Sequence, residues 1–150
     1  MDNPDIRMAN ERERDQAAEL LAGSEPWITL GITAEKCRKT CHDPELMVYM
    51  AFADQSPAGV IILDPQGVAG SPYIKSVAVY PAFRSKGIGA ALLSFAEEKF
   101  RDRCRFIFLC VSSFNTRAQK FYERCGYAVT GELKDYLLDG KSEILMVKRL

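Results

Sequence analysis

The residues from Tyr80 to Ala90, Tyr-Pro-Ala-Phe-Arg-Ser-Lys-Gly-Ile-Gly-Ala, combine two cations with two glycines. The apolar, β-branched run Ser76-Val77-Ala78-Val79 ends just before them. A helical pattern, Ala91-Leu92-Leu93-Ser94-Phe95-Ala96-Glu97, starts just after. A short basic loop therefore joins a strand to a helix N-terminus. The first turn of a helix leaves backbone N–H groups without intrahelical acceptors, and the helix dipole adds partial positive charge there. Gly87 and Gly89 remove Cβ atoms that would hold an anion off the backbone, and Arg84 and Lys86 add charge. The chemistry on offer is phosphate capture; the competing reading is a tight turn and no more. The dinucleotide fingerprint fails, because Leu92 stands where its third glycine belongs. A P-loop fails because no Gly-Lys-Ser/Thr follows. Both failures argue against an unrelated mononucleotide-binding α/β domain.

Other reactive side chains are sparse. Cys37, Cys41 and His42 invite a metal reading, since Cys37 and Cys41 share a helix face. A closed zinc site takes four ligands and no second Cys/His pair lies nearby, so no metal is expected. Five cysteines is an odd number, and Cys104, Cys110 and Cys125 sit in apolar surroundings, which fits reduced thiols and a cytoplasmic location. The N-terminus lacks the basic and apolar regions of a secretory signal. Lys plus Arg is 20 and Asp plus Glu is 20, a balance that gives no footing for nonspecific nucleic-acid binding. No apolar run reaches the roughly 18 residues that span a bilayer, so no membrane partner is expected. With 150 residues, 47% hydrophobic and 27% charged, the composition predicts one globular domain over 1–150.

The elements that must position the loop follow from period and punctuation. Asn10 to Ala22 reads as a helix stopped by Gly23, and Thr33 is a natural N-cap for a second helix to about Cys41. Leu46 to Ala53 and Gly59 to Leu63 read as strands. Asp54-Gln55-Ser56-Pro57, Asp64-Pro65-Gln66-Gly67 and Gly70-Ser71-Pro72 read as turns or loops. Tyr73 to Tyr80 is the third strand of this meander, and the helix after the loop runs to about Arg101. Phe106 to Val111 is continuously apolar, as in a strand buried on both faces, and the helical crossover before it implies parallel pairing with 73–80. Thr116 to Cys125 is helical with Gly126 as its stop. Residues 127–133 and 142–149 close the chain as strands, with a hairpin turn at Asp139-Gly140.

Two motifs in this order resemble the GNAT (general amine N-acetyltransferase) superfamily. Arg84, Gly87 and Gly89 match its Arg/Gln-x-x-Gly-x-Gly/Ala acetyl-CoA loop, and Val77 to Pro81 is similar to its fourth strand. Asn115-Thr116-Arg117-Ala118-Gln119-Lys120-Phe121-Tyr122-Glu123-Arg124-Cys125-Gly126-Tyr127 is similar to its Asn-x-x-Ala-x-x-x-Tyr-x-x-x-Gly-Phe/Tyr segment. The resemblance covers nearly the whole chain and implies an α/β fold: a mixed, mostly antiparallel sheet of six to seven strands, a splayed parallel central pair and about four helices. Its first strand is the weak point, with only Ile6-Arg7-Met8 to supply it.

The resemblance implies an N-acetyltransferase that uses acetyl-CoA as co-substrate and a primary amine as acceptor. Backbone groups of Val77, Ala78 and Val79 would bond the pantetheine arm. The amides from Ser85 through Lys86, Gly87, Ile88, Gly89 and Ala90 would hold the pyrophosphate. Hydrogen bonds to charged groups contribute about 1.5–3 kcal/mol each, so three approach the roughly 8 kcal/mol of a micromolar complex. Arg84 either meets the anion or pins the loop, and Asn115 either reaches the pantetheine or caps its helix. A backbone N–H at Val79 would stabilise the oxyanion. Tyr122, protonated at neutral pH, would donate to the leaving thiolate; without the motif it reads as a packing aromatic. An alkyl ammonium with pKa near 10.4 needs help to lose its proton, at a cost of roughly 4.6 kcal/mol at pH 7. Glu35 and Glu132 are candidates by position only. Trp27, Tyr73 and Tyr136 would wall the acceptor pocket or belong to the core. A coenzyme-A-binding module without turnover is the alternative, and the exposed edge of the last hairpin allows a homodimer.

Overall fold

The computed structural model describes residues 3–150, so Met1 and Asp2 of the N-terminal reading lie outside the described residues. The chain runs β1 (Asp5–Met8), α1 (Glu11–Ala22), α2 (Trp27–Leu30), α3 (Ala34–Cys41), β2 (Met47–Ala53), β3 (Ser56–Val68), β4 (Ser71–Val79), α4 (Ile88–Phe100), β5 (Phe106–Ser112), α5 (Thr116–Arg124), β6 (Ala128–Leu138) and β7 (Lys141–Arg149). The strands form one seven-stranded sheet in the order β1-β2-β3-β4-β5-β7-β6. Every neighbouring pair is antiparallel except β4 and β5. This is the mixed sheet that the motifs imply, with five α-helices, one of them a single turn.

Alternation along the strands supplies two cores. Tyr49, Ile61, Leu63, Ile107, Leu109 and Met146 pack against Ile88, Leu92 and Leu93 of α4, with Phe121 and Tyr122 of α5 at their edge. Val48, Met50, Val60, Ile62 and Ala78 face the other way, onto Ala17, Leu21, Cys37 and Cys41 of α1 and α3. Helices therefore cover both faces. No helix is long and apolar enough to cross a membrane among the described residues.

Several local expectations need correction. The first strand is short but pairs with β2 at all four residues. Arg7 then ties it to α1 through Glu13 at 2.9 Å, and Glu13 closes a capping box with Asn10. Asp64-Pro65-Gln66-Gly67 is no turn. The chain stays extended there, and the ladder skips from Asp64–Tyr73 to Val68–Ser71, so Pro65 lies where no N–H is required. The reversal falls at Ala69–Gly70, both at positive φ, which puts Ser71 and Pro72 inside β4. Likewise Asp54 and Gln55 alone make the preceding turn, and Ser56-Pro57 already belongs to β3. Around Pro26-Trp27 the chain forms the single helical turn α2, ended by Gly31 at φ 68°. Strand β6 continues past Leu133 to Leu138, with Val129 and Tyr136 exposed at the sheet edge.

Candidate active site

The parallel pair β4–β5 is joined only at Tyr73–Phe108 and Ile74–Leu109. Beyond Ile74, β4 continues for five residues beside β3 but no longer beside β5. The two strands thus part toward their C-terminal ends. Tyr80 N–H donates to Ala58 at 2.9 Å, which fixes the alternation of the β3–β4 ladder. By that alternation Ala78 turns its backbone groups to β3, whereas Val77 and Val79 turn theirs into the gap. Of the three residues expected to present backbone groups there, two do so.

The gap opens onto α4. Thr33, Asn10 and Asn115 cap α3, α1 and α5 with their side chains, at Lys36, Glu13 and Ala118. The N-terminus of α4, the longest helix, has neither a side-chain cap nor an acidic residue in its first turn. Ala91 N–H is the first to bond within the helix, to Gly87 O at 3.0 Å. The amides of Ile88, Gly89 and Ala90 are left pointing out of the helix end. Ser85 and Gly87 sit at φ 61° and 85°, so the loop turns back on itself. Gly87 is the N-cap, and no atom lies within 4 Å of where its Cβ would stand. Gly89 differs: its missing Cβ makes room for the Phe121 ring, 3.1 Å away, and so serves the seating of α5 on α4.

Arg84 takes the pinning role, its Nε donating to Val79 O at 3.1 Å. Val79 then keeps its N–H alone for the gap. Lys86 is exposed, its ammonium 5.8 Å from the Phe83 ring. Asn115 Oδ1 accepts from Ala118 N–H at 3.2 Å and so caps α5. Gln119, not singled out in the sequence, donates to Ser112 O at 3.1 Å and Ser113 O at 3.0 Å, and fixes the end of β5 to α5. Tyr122 is half-buried between Phe121 and Tyr127, with ring centroids 5.4 and 6.2 Å away. Burial, with the Cys125 thiol beside it, pushes its hydroxyl up to about 12. A neutral hydroxyl over the whole physiological range is a proton donor, not a base.

The expected acceptor walls separate. Tyr73 lies near Cys110, Glu143 and Tyr136, and burial holds its hydroxyl far above its ordinary value. Trp27 packs instead against the α1–α3 core. A cleft of about 530 Å³ lies beside α1, lined by Gln16, Glu19, Ser24, Tyr80 and Arg84 among others. Glu35 is exposed and pairs loosely with Lys39 at 4.0 Å, and Glu132 is exposed on β6. His42 is 2.7 Å from Asp15 at the surface. Among the described residues, no group of three metal-ligating side chains comes together.

The chain matches the model of the acetyltransferase (GNAT) family over residues 9–127. It is 39% identical over 82 residues to an uncharacterised N-acetyltransferase of Methanocaldococcus jannaschii, a match over 53% of each chain, so it spans about half the length of that relative. It is 32% identical over 109 residues to an acetyltransferase of Yersinia enterocolitica, over 72% of each chain. Among solved structures, a GNAT family acetyltransferase from Elizabethkingia anophelis with acetyl-CoA bound has the same fold at a TM-score of 0.78 and 19% identity, covering 100% of both chains. Parting strands, an uncapped helix end and a family model matched across most of the sequence agree: the chain belongs to the GNAT acetyltransferase family.

Proposed function

We propose that this chain is an N-acetyltransferase that moves an acetyl group from acetyl-CoA to a primary amine by direct transfer. One observation carries the reading: the unpaired backbone groups of β4 open onto the uncapped N-terminus of α4. That juxtaposition suits a molecule with amides along its length and a diphosphate at its end. In this reading Val77 and Val79 bond the pantetheine amides, and the amides from Ser85 to Ala90, with Lys86, hold the diphosphate. Gly87 lets the anion approach, while Arg84 holds the loop and leaves the Val79 N–H aimed at the reacting carbonyl oxygen. Asn115 sets the start of α5, and Tyr122 on that helix protonates the departing sulfur. The acceptor stands on the Tyr73–Tyr136 side. The acceptor is a small molecule, an amino acid, or an amino group of a protein, and the whole reaction proceeds within one domain.

Thiol release from acetyl-CoA over a panel of primary amines tests this directly. Amine-dependent release, with the acetylated product seen by mass spectrometry, is the expected result. Tight coenzyme binding with no amine turned over would leave a coenzyme-A-binding module instead.

A further inference from the structure

Removing a proton from an alkyl ammonium needs a base, and the two carboxylates expected from the sequence point to solvent. A third is buried in the sheet next to the parting strand. Glu143 of β7 is only 7% exposed and lies opposite Ser112 in the β5–β7 register. Ser112 Oγ donates to Glu143 Oε2 at 2.7 Å. Among the described residues Oε1 takes no donor, and no buried side-chain oxygen is both sealed from solvent and unpaired. Oε1 therefore opens onto accessible space.

Its partner Ser112 borders the gap. Ser112 ends β5, the strand that parts from β4, and alternation puts Ser112 on the same sheet face as Cys110 and Phe108. Phe108 is paired with Tyr73. Tyr122 belongs to the opposite, α4–α5 face. An acid and a carboxylate thus flank the gap from its two sides. The loops behind Glu143 are fixed: Ser113 N–H donates to Ser142 O at 2.9 Å, and Ser142 N–H donates to Ser113 Oγ at 3.1 Å.

We infer that Glu143 is the catalytic base that takes the acceptor's ammonium proton, from a position held by Ser112 beside Tyr73 and Cys110. This rests on the acetyl-transfer reading above. Glu143 Oε1 accepts one proton from R–NH₃⁺ and frees the nitrogen lone pair. That pair forms the C–N bond at the thioester carbonyl. The C–S bond then breaks, its electrons stay on sulfur, and sulfur takes the Tyr122 proton. The second proton lost by nitrogen as the amide forms restores Tyr122. The proton on Glu143 passes to solvent, so R–NH₃⁺ and acetyl thioester give amide, thiol and one H⁺.

The surroundings make Glu143 a stronger base than an exposed carboxylate. Burial raises the Glu143 carboxyl, and the Ser112 hydroxyl lowers it in part. The titratable groups beside it are Tyr73 on β4 and Cys110 on β5, with Tyr136 of β6 near Tyr73. Tyr73 and Cys110 are themselves held protonated by burial. Lys141, on the same strand, turns its ammonium over the Phe114 ring at 5.2 Å. The acid limb of the rate profile is therefore assigned to Glu143.

The test is thiol release with an amine that the wild type acetylates. Glu143→Gln keeps the size and still accepts from Ser112. It should lower kcat about 100-fold near pH 7, leave the acetyl-CoA Kd within about twofold, and recover toward wild type near pH 10, where about a quarter of the amine is neutral unaided. Ser112→Ala should move the acid limb of kcat/KM to higher pH, because the carboxylate loses a donor. An active wild type with an indifferent Glu143→Gln would overturn this inference alone, as would a loss equal at both pH values. A wild type that acetylates no amine would overturn the acetyl-transfer reading, and this inference with it.

Discussion

Tyr122 is a packing residue to which the proposed reaction also gives an acid's task. Its ring fills the space between Phe121 and Tyr127, while its hydroxyl, with a pKa pushed up to about 12, stays protonated throughout the working range. Tyr122→Phe keeps the ring and removes the donor, so kcat should fall at least about tenfold while acetyl-CoA binding is nearly unchanged. Unaltered turnover would take Tyr122 out of the mechanism. Glu143 carries a stability prediction of its own. Its folded-state pKa is raised above the unfolded value, so its stability contribution is full below the unfolded carboxylate pKa and is lost as pH rises through the folded value. Near neutral pH the wild type therefore carries a penalty that Glu143→Gln lacks. The variant's Tm should match or exceed wild type there, with the difference vanishing in acid; a lower Tm at neutral pH would contradict this. The two residues differed in legibility. Tyr122 sits at fixed spacing from Asn115 and Gly126, a local pattern that sequence displays. Glu143 depends on a partner 31 residues away, on the neighbouring strand β5. Its one sequence signal is an acid at the edge of the apolar run Ile144 to Val147, in step with Leu145 and Val147.

At the level of elements, the N-terminus of α4 is set by what lies under it. Gly59 on β3 stands opposite Val79, and a Cβ there would meet Ala78 O at 2.9 Å, Ile88 Cγ2 at 3.1 Å and Leu92 Cδ1 at 3.2 Å. The first turns of α4 therefore lie directly on the strand whose neighbour lines the gap. Gly59→Val should push them outward, cost about 1–3 kcal/mol of stability, and weaken acetyl-CoA binding from a residue that does not touch it. Denaturant unfolding and calorimetric titration would check both effects, and wild-type values in each would show that the helix position tolerates change. The helices were readable from period and caps: Asn10, Thr33 and Asn115 each cap the helix expected after them. The turns were less so. Pro65 and Gly67 look like a turn in sequence, but the chain uses them in a bulge, where a Cβ on residue 67 would stand 2.5 Å from Tyr73 Cβ, so only glycine fits. Gly and Pro mark an interruption of the ladder; they do not say whether the chain reverses there.

For the whole molecule, sheet order and function share one cause. A crossover through α4 makes β4 and β5 parallel, and placing β7 between β5 and β6 leaves β5 supported on its far side while it departs from β4. The parting of two central strands leaves a line of backbone groups without partners in the middle of a sheet, a state that proteins otherwise avoid. Its presence here is the strongest sign that something else completes the sheet. The measurement closest to this claim is an amide NMR titration of the ¹⁵N-labelled protein with acetyl-CoA. The account predicts large shifts at Val77, Val79 and the amides from Ser85 to Ala90, with smaller ones along β1 and β2. Saturable binding that leaves those amides unmoved and shifts another region would contradict it.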